Sequence, residues 1–246
     1  RADTGGLASD PGLPQFYGDF RYPQVATDGA GNSRTAFAAG AGGIGEWTLS
    51  ATGTFGIGGL SGAGGAPLIG MSSAGDATVL YDSAGTLYAR HFDASFSAWG
   101  AARTLGSSTG SGDAMALAVN ASGRAIAAWA DTSAGQDRIV VRLYDQASDT
   151  WSPVLPLTAG TFPNAPFAWF PDVAIDPAGN ALVTWSEHSA GGKTQVHVRR
   201  YSAALAAWQP ELPLSNDAAD AARPDVSVDA SGNALLAWQR SDGSNS

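Results

Sequence analysis

Short apolar runs alternate with small polar turns along the whole chain, and one arrangement of runs and turns occurs five times. In each occurrence an apolar run leads into a turn with glycine at its fourth position, and an aromatic residue follows six positions after that glycine. Repeats of this length predict an array or a propeller. The glycines, which are 44, 48, 56 and 53 residues apart, are Gly31, Gly75, Gly123, Gly179 and Gly232, and the aromatics are Phe37, Tyr81, Trp129, Trp185 and Trp238.

Each full repeat contains four runs with the character of strands, and none has the length or the spacing of a helix. In the fourth repeat these runs are 171–175, 181–185, 194–199 and 208–214. Four strands per repeat predict an all-β fold, a β-propeller of about five four-stranded blades, the last one incomplete in this chain. The first strand of each blade, its inner strand, is expected at 23–28, 67–72, 114–119, 171–176 and 224–229.

The repeats divide the chain into an N-terminal segment and five blades. The segment 1–22 is predicted to supply an aromatic loop and a strand that closes the ring. The last blade has two strands and no third, so an unpaired strand edge is expected beside 235–239. The N-terminal segment or strand exchange with a partner polypeptide would cover this edge, unless a longer native chain continues into the missing strand. The predicted blades are 23–65, 66–112, 113–165, 166–222 and 223–246.

Composition and charge narrow the range of functions. Charged residues make up 14% of the chain and the net charge is −9, so repulsion from phosphate backbones argues against nucleic acid as a partner. No apolar run approaches the roughly 20 residues that span a bilayer. The absence of cysteine excludes disulfides and thiol chemistry. Many Gly, Ala, Ser, Thr and Asp residues with a single lysine, Lys193, are typical of a protein secreted by a bacterium or held on its cell surface.

The stretch 171–185, Pro-Asp-Val-Ala-Ile-Asp-Pro-Ala-Gly-Asn-Ala-Leu-Val-Thr-Trp, resembles the first hairpin of NHL-type repeats in bacterial secreted β-propellers. The resemblance covers residues 22–246 and is closest in the last three repeats. It implies a propeller, and such propellers serve as binding modules, scaffolds and enzymes. The sialidase Asp box, Ser-x-Asp-x-Gly-x-x-Trp, is not matched, because Asp and Gly are three positions apart here and the aromatic lies six beyond.

The repeated turn has a structural explanation. Asp accepts hydrogen bonds from backbone amides two residues on, and Gly adopts positive φ without steric cost. The alternative is calcium binding by Asp28, Asp176 and Asp229. Calcium takes about six to eight oxygen ligands, which one Asp per turn does not supply. The turns and the aromatics that follow them are therefore predicted to be structural, and neither a metal nor a cofactor is expected.

Aromatic residues in two connections are candidates for ligand binding. One group lies in the N-terminal segment and the other in the link between the third and fourth repeats. In a four-stranded blade these connections share a face with the loop after the second strand, which holds an adjacent Glu and His. Clustered exposed aromatics mark binding sites, although such residues also plug central channels or pack beneath loops. The candidates are Phe16, Tyr17, Phe162, Phe167, Trp169, Phe170, Glu187 and His188.

Three arginines, Arg90, Arg142 and Arg199, occupy one repeated position in the third strand. Sialidases gather arginines from different blades around a carboxylate, so the series favours an enzyme of that kind. Equivalent residues of adjacent blades lie around the ring and need not converge, so inter-blade ion pairs or stacking on neighbouring rings explain the series better. No Ser or Cys nucleophile motif accompanies the adjacent Glu and His, so no catalytic residue is predicted. The histidines lack the spacing of metal ligands; they are His91, His188 and His197.

These features predict a secreted, non-catalytic β-propeller that acts as a binding or assembly module. The expected partner is a glycan, because aromatic rings stack on sugar faces, or another polypeptide. The alternative is a sialidase- or lyase-like propeller enzyme, in which the three arginines would converge on one carboxylate. The directions of their side chains discriminate between the two hypotheses.

Overall fold

Five antiparallel sheets follow one another along the part of the chain that the computed structural model describes. That part comprises residues 20–39, 42–61, 64–108, 114–131, 133, 138–158, 168–188, 192–216 and 218–241. Its strands are β1 (Phe20–Thr27), β2 (Ser33–Ala39), β3 (Ile44–Leu49), β4 (Phe55–Ser61), β5 (Gly65–Met71), β6 (Ala77–Ser83), β7 (Thr86–Asp93), β8 (Ala98–Trp99), β9 (Arg103–Ser107), β10 (Met115–Val119), β11 (Ala125–Asp131), β12 (Arg138–Asp145), β13 (Thr150–Trp151), β14 (Leu155–Pro156), β15 (Ala168–Ile175), β16 (Ala181–His188), β17 (Thr194–Ser202), β18 (Ala207–Trp208), β19 (Leu212–Pro213), β20 (Ala221–Val228) and β21 (Ala234–Arg240).

The first four sheets are blades built in chain order from an inner, a second, a third and an outer strand. Blade 1 has the order β1-β2-β3-β4. In blades 2, 3 and 4 the outer strand consists of two short pieces that both pair with the third strand: β8 and β9 on β7, β13 and β14 on β12, and β18 and β19 on β17. The fifth sheet is the hairpin β20-β21. This arrangement confirms the predicted all-β propeller. Within the described residues, no helix has the length and apolar character needed to cross a membrane.

Consecutive blades meet along their inner strands, in the order β1, β5, β10, β15 and β20. Hydrogen bonds connect the turns that follow these strands. The amide of Gly29 donates to the carbonyl of Ser73 at 3.1 Å, and the amide of Ser73 donates to the carbonyl of Ala121 at 3.0 Å. A side chain makes the next connection, because Nδ2 of Asn120 donates to the carbonyl of Asp176 at 3.0 Å. The turns therefore attach blades 1 to 4 to one another at one end of the propeller.

The aromatic residue six positions after the turn glycine is buried in the first four repeats, and in repeats 2 to 4 it packs against the preceding blade. Trp129 and Trp185 are 1% and 0% exposed and belong to two different core clusters. The indole nitrogen of Trp129 donates to the carbonyl of Ser107 in blade 2 at 2.7 Å. A Cβ atom on Gly106 would lie 2.8 Å from the same ring, so glycine allows the outer strand of blade 2 to approach blade 3 this closely.

The repeated turn is stabilised by its first side chain. Oδ1 of Asp28 accepts hydrogen bonds from the amides of Ala30 at 2.9 Å and Asn32 at 2.8 Å, and Oδ2 accepts one from Nδ2 of Asn32 at 2.7 Å. Asp176 and Asp229 are engaged by the same kinds of donor. Groups of the turn itself therefore occupy these carboxylates. The glycines have positive φ: Gly31 88°, Gly75 95°, Gly123 81°, Gly179 87° and Gly232 83°.

A β-bulge interrupts four of the inner strands close to their start. Pairing with the second strand shifts there, and the residue at the shift has positive φ. Pairing with the second strand also occurs on the N-terminal side of the bulge, so β1, β5, β15 and β20 begin two or three residues earlier than predicted. The alternation of apolar residues did not reveal this extension, because a bulge changes which residues face the core. The bulge residues are Tyr22 (52°), Ala66 (44°), Phe170 (50°) and Arg223 (53°).

The fifth sheet is less covered than the other four. Trp238 is 38% exposed and Leu235 is 72% exposed, so Trp238 is not a core residue like its equivalents in blades 1 to 4. The reason is that none of the described strands pairs with the outer edge of β21. A covering strand from the N-terminal segment would come from residues outside the described part of the chain. Strand exchange with a partner polypeptide stays a prediction.

Truncation of two equivalent tryptophans should have unequal effects on stability. Trp185→Ala removes a fully buried indole from a core cluster shared with blade 3, and we expect it to lower the free energy of unfolding by about 3–5 kcal/mol. Trp238→Ala is the matched control at the same repeat position and should cost clearly less, because its indole is already partly in water. Urea unfolding followed by circular dichroism measures both. Equal losses, or a loss below about 1 kcal/mol at Trp185, would contradict the core assignment.

Candidate functional site

Three clefts between consecutive blades occupy equivalent places in the described residues. The largest lies between blades 2 and 3 and has a volume of about 770 Å³. The cleft between blades 3 and 4 measures about 390 Å³, and the one between blades 1 and 2 about 360 Å³. We call them cleft 2/3, cleft 3/4 and cleft 1/2. All three exceed the roughly 300 Å³ at which small-molecule sites begin, and cleft 2/3 exceeds it most.

An aromatic pair lies beside every cleft. In blades 2, 3 and 4 the last aromatic residue of the third strand packs on the tryptophan seven residues later, because the register pairs these two positions directly. The first ring of each pair lines the cleft toward the preceding blade. The repeat thus supplies the same wall each time, and the clefts differ in their polar residues and rims. The pairs and their centroid distances are Phe92–Trp99 at 5.4 Å, Tyr144–Trp151 at 5.2 Å and Tyr201–Trp208 at 5.4 Å.

Polar side chains from two blades meet inside cleft 2/3. The rings of His91 in blade 2 and Tyr144 in blade 3 are 5.1 Å apart. The hydroxyl of Tyr144 donates to Oδ1 of Asp149 at 2.8 Å. Arg103, from the outer strand of blade 2, binds the other carboxylate oxygen and the carbonyl of Asp149. Both side chains of this ion pair are about half exposed, at 44% and 55%, so a ligand in the cleft can reach them.

The rear of cleft 2/3 is organised around Asp76, which is only 9% exposed. Its Oδ1 accepts a hydrogen bond from the amide of Ala94 at 2.9 Å. Its Oδ2 accepts one from the side-chain amide of Gln146 in blade 3. One carboxylate therefore connects the inner turn of blade 2 with an outer turn of each blade and holds the rear wall in place.

Phe96 stands at the rim of cleft 2/3 and is 80% exposed. The β7–β8 turn that carries it is ordered by Asp93, whose Oδ1 accepts hydrogen bonds from the amides of Ser95 at 2.8 Å and Phe96 at 3.3 Å. The equivalent turn position is Ser148 in blade 3 and Leu205 in blade 4. An aromatic ring at this turn position is therefore specific to blade 2 among blades 2 to 4.

His91 and Tyr144 are uncharged at neutral pH. Burial lowers the pKa of His91, against the smaller opposing effects of Asp76, Asp149 and Asp93. Burial and the hydrogen bond to Asp149 raise the pKa of Tyr144. The cleft therefore presents uncharged hydrogen-bonding groups, the ion pair of Arg103 and Asp149, one exposed ring, and the carboxylates of Asp76 and Asp93, which accept hydrogen bonds from backbone amides. This combination suits an uncharged ligand that carries several hydroxyl groups.

The arginine series does not form one site. Each guanidinium donates through Nε to a carbonyl of its own blade and through Nη1 to carbonyls of the preceding blade, so the three side chains point into three different interfaces. The expectation of ion pairs is corrected to hydrogen bonds with the backbone, and the sialidase-like hypothesis loses the convergence it requires. The acceptors are Gly100 and Leu60 for Arg90, Ser152, Thr104 and Leu105 for Arg142, and Gln209 and Leu157 for Arg199.

Part of the predicted aromatic site lies at the opposite end of the blades from the clefts. Trp169 packs edge-on against His188, with centroids 5.1 Å apart. The guanidinium of Arg223 lies over the ring of Phe170, 4.2 Å from its centroid, so the bulge residues of blades 4 and 5 stack on each other. These contacts leave the predicted site untested, because its other aromatics lie outside the described residues: Phe16, Tyr17, Phe162 and Phe167.

Glu187 and His188 do not form an acid–base pair. As neighbours along β16 they project to opposite sides of blade 4. Oε2 of Glu187 accepts a hydrogen bond from the indole of Trp185 at 2.9 Å, and burial raises the pKa of this carboxyl. The ring of His197 stacks on Trp185, with centroids 5.8 Å apart. Glu187 therefore belongs to a polar cluster on the other side of the sheet from His188.

The sequence shows the aromatic pairs as repeats but does not show that clefts lie beside them. One position does indicate where the blades differ, namely the residue before the first aromatic of each pair. It is His91 in blade 2, Leu143 in blade 3 and Arg200 in blade 4. A position whose chemistry changes from blade to blade is not required by the shared scaffold. Such variation next to a constant aromatic marks a place where the blades can differ in function.

Comparison with known proteins identifies the fold. No protein-family model and no curated protein sequence matches the chain. A protein of unknown function from Dyadobacter fermentans has a similar structure, with a TM-score of 0.56 and 10% identity over 90% of this chain and 75% of that one. An α-L-arabinofuranosidase from Fusarium graminearum has a TM-score of 0.55 and 12% identity over 89% and 74%. The Aleuria aurantia lectin has a TM-score of 0.53 and 12% identity over 89% and 72%. The NHL-type resemblance stays a prediction.

The free energy of unfolding should depend on His91 below neutral pH. Burial holds the pKa of native His91 below its ordinary 6.5, so the unfolded chain binds a proton at a higher pH than the folded one. The stability contributed by neutral His91 is complete above about pH 6.5 and is lost as the pH falls toward the native pKa. In urea denaturation at a series of pH values, the His91→Gln variant should therefore lose stability less steeply below about pH 6.5 than the unchanged protein does. Identical pH profiles would contradict burial of a neutral imidazole.

Proposed function

We propose that this chain is a secreted, non-catalytic β-propeller that binds glycans, with cleft 2/3 as its principal site. The observation that carries the proposal is the combination, in one cleft, of an exposed Phe96 ring with uncharged His91 and Tyr144 and the half-exposed pair of Arg103 and Asp149. Cleft 1/2 and cleft 3/4 share its aromatic wall and are smaller.

A sugar presents both kinds of surface that cleft 2/3 accommodates. Its C–H faces stack on aromatic rings, whose faces carry partial negative charge. Its hydroxyl groups accept hydrogen bonds from a guanidinium such as that of Arg103 and donate them to a carboxylate such as that of Asp149. A volume of about 770 Å³ is within the roughly 300–1,000 Å³ typical of small-ligand sites. The proposed ligand is therefore an uncharged mono- or oligosaccharide.

Two of the structurally similar proteins are seen in complex with a saccharide or an iminosugar. The Aleuria aurantia lectin is in complex with Fucalpha1-6GlcNAc, and the Fusarium graminearum arabinofuranosidase is in complex with an iminosugar inhibitor. At 12% identity these likenesses concern the fold, and they support the proposal only by showing that propellers of this shape accommodate sugars.

Secretion and a second partner are supported by other features. The acidic charge, the low content of charged residues and the single lysine, Lys193, are typical of proteins exported by bacteria. No strand of the described residues pairs with the outer edge of β21, and such an edge suits strand addition by another polypeptide. In the proposed function the chain would thus present glycan-binding clefts while joined to a partner, as a binding or assembly module.

An enzyme remains the second hypothesis because of one observation. Burial raises the pKa of Glu187, as in the general acids of glycosidases. Among the carboxylates of cleft 2/3, Asp149 is less suited to that role, since Arg103 and the hydroxyl of Tyr144 already bind it. We expect the purified chain to hydrolyse no aryl glycoside or ester. Turnover that is lost in Glu187→Gln would establish the enzyme instead.

A glycan array probed with the folded chain tests the proposal. We expect binding to a subset of uncharged glycans. In calorimetric titrations with the best ligand, Phe96→Ala should weaken binding roughly tenfold, equivalent to about 1.4 kcal/mol, because a sugar face loses its stacking partner. Arg103→Gln should also weaken binding, because it removes a charged donor from the cleft. Absence of array binding by folded protein would overturn the proposal.

Two further variants locate the site. Leu205→Ala is the matched control for Phe96→Ala, because Leu205 is 74% exposed at the same turn position of blade 4 and lies outside cleft 2/3. It should bind like the unchanged protein. Trp169→Ala tests the predicted site at the opposite end of the blades. Loss of binding in Trp169→Ala, with Phe96→Ala unaffected, would place the glycan there.

A further inference from the structure

The strand register of blade 4 brings three metal-ligating side chains onto one face of the sheet. His197 in β17 pairs directly with Trp185 in β16 and with Pro213 in β19. Glu187 lies two residues after Trp185, and Glu211 lies two residues before Pro213. Because residues two apart in a strand share a face, both carboxylates flank the imidazole on the same side.

The ligand atoms of Glu187, His197 and Glu211 lie within 4.8 Å of one another. Nδ1 of His197 is 2.6 Å from Oε1 of Glu211. The same nitrogen is nevertheless buried and forms no correctly directed hydrogen bond with any described residue. In tetrahedral coordination two ligand atoms of one zinc ion lie about 3.4 Å apart, given a zinc–ligand distance of roughly 2.1 Å. Side-chain shifts of about 1–2 Å would therefore bring all three groups onto one cation.

The scaffold does not require these residues, because the other described blades lack the cluster. In blade 3 the position of Glu187 is occupied by Asp131. Nη2 of Arg138 lies 3.2 Å from Oδ2 of this carboxylate and neutralises it. The joint appearance of two Glu and one His in blade 4 therefore needs an explanation other than blade packing. The equivalents of Glu187 are Ala39, Ser83 and Asp131, those of His197 are Gly45, Tyr88 and Val140, and those of Glu211 in blades 2 and 3 are Ala102 and Val154.

We propose that Glu187, His197 and Glu211 bind a divalent transition-metal cation, and that zinc fits the site best. Carboxylate oxygens together with an imidazole nitrogen are a ligand set that zinc accepts, whereas calcium and magnesium take oxygen ligands. Three protein ligands leave a fourth position for water or another small ligand. The side chain of Glu211 is 35% exposed, so the cation can enter from solvent.

The surroundings of the cluster hold its ligands in place. The indole of Trp185 donates to Oε2 of Glu187 at 2.9 Å, which fixes the orientation of the carboxylate. The same indole stacks on the ring of His197, with an angle of 17° between the planes. Outer partners of this kind orient metal ligands and contribute to affinity. Arg199, on the same face of β17, donates to backbone carbonyls and so leaves the two carboxylates to the cation.

Zinc titration of the folded chain, after treatment with a chelator, tests the proposal. Calorimetry should show one zinc ion per chain, and zinc should raise the melting temperature. Glu211→Gln and His197→Gln should each weaken zinc binding by more than about 100-fold, beyond the roughly 10–100-fold loss caused by removing an outer partner. Glu211→Gln is the safer variant for folding, because Glu211 is the most exposed of the three.

The matched control is His188→Gln, which removes an imidazole next to Glu187 on the opposite side of β16. It should leave the zinc affinity unchanged. Circular dichroism checks that each variant folds. If His197→Gln does not fold, the zinc affinity of Glu211→Gln tests the proposal by itself. The proposal fails if folded protein binds no zinc, if Glu211→Gln binds it as tightly as the unchanged chain, or if calcium binds more tightly. The titration needs no glycan, so its outcome is independent of the proposed function.

Discussion

Each blade is apolar on both faces, so neighbouring blades must cover them before the sheet is stable. The features shared by the repeats meet this requirement. Trp129 and Trp185 fill interfaces, Gly106 allows one outer strand to approach the next blade, and arginines such as Arg142 donate to carbonyls on both sides of an interface. Where the third strand is missing among the described residues, as in the fifth sheet, the equivalent Trp238 is partly in water. The clefts are the spaces that remain where the outer turns of adjacent blades separate.

The strands and turns were predictable because they depend on local rules. Asp28 and Gly31 specify a tight turn by themselves, one through its carboxylate and the other through its positive φ. The bulge at Phe170 was not predictable, because no glycine marks its positive φ. The targets of the arginines were also hidden, since a backbone carbonyl has no signature in the sequence.

The candidate sites were less predictable than the fold because they are assembled between distant segments. Arg103 and Asp149 meet across two blades although 46 positions separate them. His197 reaches Glu187 and Glu211 only through the register of three strands. Histidine spacing along the chain therefore suggested no metal site, whereas spacing across the sheet does. The sequence shows the aromatic pairs as repeats, but it shows neither the clefts beside them nor the polar residues that face the clefts.

The repeat itself explains how new chemistry can be added to this fold. Stability in a repeat protein comes from each unit and its nearest-neighbour interfaces, so positions outside the interfaces can change at little cost. The tip of the outer turn, occupied by Phe96, Ser148 or Leu205, is such a position, because all three residues are exposed. The position of His197 is different, since Val140 is fully buried at the equivalent place in blade 3. A polar residue at that place needs compensation, and stacking on Trp185 together with ligation by two carboxylates would supply it.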